Sequence, residues 1–224
     1  MSYPLLSDKG SAVIRKFGIL NANVPDGLFF SGIPFPGDYL LNPDGSVREK
    51  YFLPDYQTRP TASEVVLKDF GGSVGDDPTT VQAEDVRAEI SLSDRKAVAG
   101  AQLGIAVEFE VGPGWHIYGQ PVPEGYTPTS VVFDDDIVTA QKLAMPKPSP
   151  VRFAALNETL MVYEGSFRAT GNVLLKQKLA PGEYKLKGTM NFQECNDLEC
   201  KIPQAARFEI PLQIVAMAPP APKP

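Results

Sequence analysis

Apolar residues recur at every second position through much of the chain after residue 81, the period of half-buried strands. In Leu103–Val111, the residues Ile105, Val107, Phe109 and Val111 alternate with Glu108 and Glu110, which face out. Tyr184, Leu186, Gly188, Met190 and Phe192 form a second series, and Phe208, Ile210, Leu212 and Ile214 a third. Ser130–Phe133, Leu160–Gly165 and Ser166–Leu175 read as further strands, with turns at Gly112-Pro113-Gly114 and Ala180-Pro181-Gly182-Glu183. Met145 to Pro150, rich in proline, is expected as an exposed loop. Roughly seven or eight short strands divided by turn signals predict a mainly β fold, an immunoglobulin-like β-sandwich.

The first 70 residues read differently, as mixed α and β. Tyr3 to Leu6 is a short apolar run ending in Ser7-Asp8, a good N-cap pair for a helix over Ser11–Ile19, with Val13, Ile14 and Phe17 on one face. Asn42-Pro43-Asp44-Gly45 is a strong turn, so 38–52 is expected as a β-hairpin. Thr61-Ala62-Ser63-Glu64 matches a capping box opening a second helix through Val65, Val66 and Leu67, which Gly71-Gly72 ends. Gly71 to Pro78 is glycine, acid and proline with little to bury, so the expected division is a segment 1–70, a linker 71–80, a sandwich 81–216 and a disordered Pro/Ala-rich tail 217–224.

Composition narrows the functional classes. The 22 prolines and 19 glycines suit short strands joined by turns better than helices. A formal charge of −6 without a basic run argues against nucleic acid or anionic lipid as partners. No apolar run approaches the roughly 20 residues of a membrane helix, so membrane insertion of this chain is not expected. Met1 to Asp8 has neither the basic nor the apolar region of a signal peptide, which fits a cytoplasmic chain or one whose natural front end is missing.

The chemistry concentrates in Asn191-Phe192-Gln193-Glu194-Cys195-Asn196-Asp197-Leu198-Glu199-Cys200-Lys201-Ile202-Pro203, which holds both cysteines with four residues between them. Three readings compete. A loop this short gains only about 2 kcal/mol from cross-linking, which makes a disulfide here a poor brace and a well-placed exchange site. Two buried thiols or a minor structural disulfide are the second reading. A metal site is the third; zinc takes about four ligands, and two cysteines with the single histidine, His116, would need a carboxylate to complete the set. His116 could lower a thiol pKa as proton acceptor or cation, or be an inert polar strand residue. Tyr118 could donate to a sulfur or simply pack. Asp197 and Glu199 would oppose thiolate formation if close to the sulfurs, but most simply form a solvated loop face.

Two resemblances go further. Tyr3-Pro4-Leu5-Leu6-Ser7-Asp8, the helix to Gly18-Ile19-Leu20, Pro34-Phe35-Pro36-Gly37 and Asn42-Pro43-Asp44-Gly45 resemble the back half of a redoxin of the AhpC/TSA class, a partial thioredoxin-like segment over about residues 2–70. That resemblance implies a cis-proline at Pro36. The family's reactive cysteine belongs to a front half that is absent, since no cysteine precedes Cys195, so the segment is expected to be incomplete or unusually packed. Gly114-Trp115-His116-Ile117-Tyr118, Val162-Tyr163-Glu164-Gly165 and the aromatic-Gln-x-Cys…Cys-x-x-Pro frame from Phe192 to Pro203 resemble the N-terminal periplasmic domain of the thiol:disulfide interchange protein DsbD, over roughly 81–216.

The second resemblance implies a redox pair at Cys195 and Cys200, with His116 and Tyr118 beside the sulfurs and a cap loop near Phe153 to Asn157, where Phe153 would shield the disulfide. It departs from the best-known member, which has five residues between its cysteines. It implies a periplasmic or other extracytoplasmic location, no cofactor and no metal. The implied partners are other thiol–disulfide proteins: a membrane electron-donor domain and thioredoxin-like acceptors. The expected activity is thiol–disulfide exchange, a protein-disulfide reductase chemistry. The alternatives are a non-catalytic immunoglobulin-like binding module with a passive disulfide, or a fragment of a larger redoxin-type reductase or peroxidase.

Overall fold

The computed structural model describes residues 7–52, 61–70, 78–153 and 157–217. The run Tyr3–Leu6, the greater part of the expected linker, the centre of the expected cap loop and nearly all of the tail lie outside these residues. The chain divides into two compact units, Met1–Pro60 and Thr61–Pro224.

In the first unit, the Asp8 carboxylate accepts the amides of Val13 and Ile14 at 3.0 and 2.9 Å and opens a short helix, α1 (Ala12–Lys16). The expected helix ran to Ile19; Gly18, at φ +69°, turns the chain before that. Strands β1 (Gly37–Leu41) and β2 (Val47–Phe52) then pair as the expected hairpin, with Gly45 at φ +82° in the turn. The peptide bond before Pro36 is not the cis bond of the redoxin pattern: among the described residues the cis bond is Gln120–Pro121. Pro36 leads straight into β1, where a fixed φ suits the first step of an extended strand.

The second unit opens with α2 (Ala62–Phe70), whose Glu64 amide donates to Thr61 Oγ1 at 3.1 Å. That is one half of the expected capping box. The Glu64 carboxylate itself points elsewhere, to Lys68 at 2.8 Å and Gln102 at 3.2 Å. This helix was expected to close the first segment, but it belongs to the unit that follows. Leu67 is buried, Arg168 donates to the Leu67 carbonyl, and a Cβ at Gly104 would meet Glu64 Cγ at 2.7 Å. Gly104 is where the backbone of the sheet can approach the helix.

The strands are β3 (Thr79–Gln82), β4 (Val86–Leu92), β5 (Lys96–Ala97), β6 (Gln102–Val111), β7 (His116–Tyr118), β8 (Ser130–Phe133), β9 (Val138–Ala144), β10 (Ser149–Phe153), β11 (Glu158–Tyr163), β12 (Ser166–Leu175), β13 (Gly182–Phe192), β14 (Glu194–Cys195) and β15 (Gln204–Ile214). Among the described residues they form sheets of order β3-β4-β6-β12-β9 and β5-β15-β13-β8, and a smaller sheet β10-β11-β7-β14. The fold is mainly β, an immunoglobulin-like sandwich. Ile90, Val107, Phe109 and Val173 of the first sheet share one apolar cluster with Leu186, Met190, Phe192 and Ile210 of the second.

The strongest alternations all become strands: β6, β12, β13 and β15. On β6, Gly104 and Ala106 are buried as well, because α2 covers the face that alternation alone would leave to solvent. Strands β9 and β10 escaped the sequence reading. Both are mostly exposed edge strands with little apolar pattern, and Ser149-Pro150, expected in a loop, begins β10 at an edge that tolerates proline.

Candidate functional site

Strand β13 carries the chain along the sandwich to Phe192, and two residues later β14 pairs with β7 in the small sheet. The partners are Glu194 with Ile117 and Cys195 with His116. Directly opposed residues share a face, and so do residues two apart, so Cys195, His116 and Tyr118 stand on the same side of the small sheet.

Beyond Cys195 the chain reverses tightly. The Asn196 side chain accepts the amides of Leu198 and Glu199 at 2.8 and 2.9 Å, and the Asn196 amide donates to the Glu199 carbonyl. Asparagine supports a turn of this kind because its side chain satisfies the backbone donors two and three residues on. The reversal brings Cys195 and Cys200 together as a disulfide with Cα atoms 4.1 Å apart. Cys195 is 0% exposed, whereas Cys200 is exposed, as are Asp197, Leu198 and Glu199 in the turn.

Tyr118 lies beneath the disulfide. Its hydroxyl donates to Cys195 Sγ at 3.0 Å and lies 3.4 Å from Cys200 Sγ. Burial, with Tyr126 and Glu158 nearby, pushes its pKa up to about 12, so it is a phenol and a donor at neutral pH. His116 is buried, edge-on to Tyr118 at 5.5 Å and tilted against Phe153 at 4.7 Å. Its Nε2 has no hydrogen-bond partner among the described residues. Burial holds its pKa below the usual 6.5, partly offset by the charge of Asp197. The imidazole is therefore neutral at pH 7, a proton acceptor rather than the cation that would draw out a thiolate. Phe153, at the end of β10, packs against a small cluster of Tyr118, Leu160, Val162 and Cys195.

Sequence reasoning thus named five residues that the fold brings together: Cys195, Cys200, His116, Tyr118 and Phe153. Pro36 lies in the other unit. Of the expected cap loop, residues 154–156 lie outside the described residues.

Other residues of the site were not anticipated. Tyr126 stands edge-on to Tyr118 at 4.9 Å and donates to Glu158 at 3.1 Å, which links the proline-rich loop at 121–128 to the start of β11. Gln193 accepts the Thr127 amide and donates to the Lys201 carbonyl, both at 3.1 Å, so it pins that loop to the cysteine turn. The buried Glu194 forms an ion pair with the partly exposed Lys201 at 2.8 Å. Three of these residues flank the cysteines in sequence, and charges of opposite sign placed immediately before and after the thiol pair were the available signal. Tyr126 and Glu158 carried no comparable signal.

The arrangement suits exchange chemistry. An exposed sulfur can be attacked by a thiolate, and the sulfur that leaves is buried against a hydroxyl donor.

Comparison with known proteins gives the following. Residues 87–212 match the family described as thiol:disulfide interchange protein DsbD, N-terminal. No curated protein matches. Among solved structures, the N-terminal periplasmic domain of ScsB from Proteus mirabilis is 14% identical, with 62% of this chain and 52% of that one covered and a TM-score of 0.45. The present chain thus spans about half the length of that relative. The Neisseria meningitidis DsbD N-terminal domain, in its reduced form, is 14% identical over 62% of this chain and 90% of its own, with a TM-score of 0.31. The yeast GGA1 GAE domain is 10% identical over 61% of this chain and all of its own, with a TM-score of 0.36.

Proposed function

The chain belongs to the family of the N-terminal domain of the thiol:disulfide interchange protein DsbD, and from that premise we propose that Cys195 and Cys200 pass reducing equivalents between partner proteins by dithiol–disulfide exchange. The observation that carries this reading is the asymmetry of the pair: an exposed Cys200 bonded to a fully buried Cys195 whose sulfur accepts the Tyr118 hydroxyl.

Reduction of the pair begins when a donor thiolate attacks Cys200 Sγ. The Cys195–Cys200 bond breaks and Cys195 leaves as a thiolate, stabilised by Tyr118 and able to take up a proton. A second donor thiolate then attacks the mixed disulfide and releases the Cys200 thiolate, so the donor is oxidised by two electrons and the pair reduced by two. In the forward step, the Cys200 thiolate attacks an acceptor disulfide. Cys195 then attacks Cys200 Sγ, re-forms the internal disulfide and frees the acceptor as a dithiol.

Family membership favours a membrane electron-donor domain and thioredoxin-like acceptors as partners, in the periplasm. No helix among the described residues is long and apolar enough to cross a membrane. Residues 2–70 we take as a redoxin-like segment on the strength of the motifs around Pro34–Gly37 and Asn42–Gly45, with a Pro36 bond that departs from that pattern; residues 2–70 contain no cysteine.

The test is trapping. Incubated with a disulfide of low molecular weight, the Cys195→Ser variant should accumulate a stable mixed disulfide on Cys200. A pair that neither equilibrates with glutathione nor is trapped in either single Cys→Ser variant is a passive brace, and the reading fails.

A further inference from the structure

Glu194 and Lys201 stand immediately outside the two cysteines, one before Cys195 and the other after Cys200. They are joined twice. The Lys201 amide donates to the Glu194 carbonyl at 2.9 Å, and Lys201 Nζ lies 2.8 Å from the Glu194 carboxylate. Glu194 is 0% exposed, and its carboxylate also accepts the Asp85 amide at 3.3 Å and Gln204 Nε2 at 3.4 Å. The Lys201 ammonium meets Asp85 at 2.5 Å and Glu84 at 3.0 Å, and it lies 4.1 Å from the centre of the Trp115 ring. Partial burial works against its charge, but the bonds to Asp85, Glu194 and Glu84 outweigh this and raise its pKa. One cation therefore ties β14, the turn between β3 and β4, the residue ahead of β7 and the segment entering β15. The exchange steps above use none of these groups.

We propose that the Lys201–Glu194 ion pair is a positioning device that sets the redox equilibrium of Cys195–Cys200, by holding the two ends of the turn together when the disulfide is open. The proposal rests on the exchange reading. A disulfide forms the more readily the closer its thiols are kept in the reduced state. With the flanking residues clamped, a reduced turn cannot spread, so opening the bond releases little chain entropy. Without the clamp, the dithiol gains freedom that the disulfide lacks, and the equilibrium moves toward the dithiol. A clamp that merely braced the fold would act on both redox states alike and leave the equilibrium where it was. Buried ion pairs are often neutral for stability when both partners are replaced together, which lets the two roles be separated.

The experiment uses the whole chain, equilibrated in buffers of reduced and oxidised dithiothreitol. The protein disulfide and the dithiol exchange two electrons for the protein dithiol and the cyclic disulfide. The Glu194→Gln/Lys201→Met double variant removes both charges at once. It should favour the dithiol about tenfold more than the wild type, a potential about 30 mV higher. Lys201→Arg, which keeps the charge, should return the constant to within about twofold of the wild type. Should the double variant fail to fold, Asp85→Asn removes one carboxylate at a partly exposed position and should shift the constant the same way by a smaller factor. An unchanged constant in every folded variant, with the wild type exchanging normally with glutathione, overturns the clamp and leaves the exchange reading intact. A wild-type pair inert to glutathione overturns the exchange reading and this proposal with it.

Discussion

The hydroxyl of Tyr118 lies 3.0 Å from Cys195 Sγ and 3.4 Å from Cys200 Sγ, so one buried donor reaches both sulfurs of the disulfide. A hydroxyl bonds a thiolate more strongly than it bonds a disulfide sulfur, because the acceptor then carries charge. The contact therefore favours bond breaking more than it favours the resting state. Tyr118→Phe keeps the ring and removes the donor. Loss of a bond worth about 1.5 kcal/mol predicts exchange with reduced glutathione slowed by about tenfold, measured by stopped flow, with the fold retained.

The two cysteines differ in access. Once reduced, the thiol of Cys200 in Cys195→Ser should react with Ellman's reagent at least about tenfold faster than that of Cys195 in Cys200→Ser, because Cys195 is fully buried. Equal rates would remove the asymmetry on which the order of attack depends.

His116 gives the pH dependence a defined sign. Its folded-state pKa lies below the usual 6.5, with burial as the main cause and Asp197 opposing it. Above pH 6.5 both the folded and the unfolded chain hold a neutral imidazole, so stability there does not depend on it. As pH falls below 6.5 the unfolded chain binds a proton that the folded protein takes up only at lower pH, and stability is lost through that window. Urea midpoints at about pH 7.5 and 5.5 should fall further in the wild type than in His116→Asn, at unchanged slope.

Leu186 is fully buried where the two main sheets meet, in the middle of β13 and outside the cluster that surrounds Cys195. Leu186→Ala should cost about 2–5 kcal/mol by urea denaturation through the cavity it leaves. In the folded fraction the glutathione equilibrium should not change, which separates loss of core from loss of site.

Residues 61–224 form a compact unit with α2 seated on β6 through Leu67, Glu64 and Arg168. Expressed alone, this piece should give a cooperative thermal transition and keep the Cys195–Cys200 disulfide. A piece beginning at residue 71 lacks α2, exposes the face around Gly104 and Ala106, and should melt at a lower temperature.

Where a feature is carried by neighbours in sequence, the amino-acid order is sufficient. Alternation in Leu103–Val111, Tyr184–Phe192 and Phe208–Ile214 specifies strands because successive side chains point to opposite faces whatever the strand pairs with. The Asn42–Gly45 turn and the reversal between Cys195 and Cys200 are similarly local. Strand β9 was not legible because most of its residues are exposed and polar, and β10 because it is short and begins within a proline-rich run that reads as a loop. The cis bond expected at Pro36 failed for a related reason: a proline's isomer depends on its tertiary surroundings as well as on the proline. Allegiance of α2 was hidden too, since an apolar helix face does not say which sheet it covers.

At the site, the order of residues was enough to mark the thiol pair and, through resemblance, its neighbours Tyr118, His116 and Phe153. Folding alone determines that Cys195 is buried and Cys200 exposed, that His116 is held neutral, and that Lys201 meets Asp85 across 116 positions of chain. Burial and long-range charge pairing depend on where the whole chain comes to rest, so no local pattern records them.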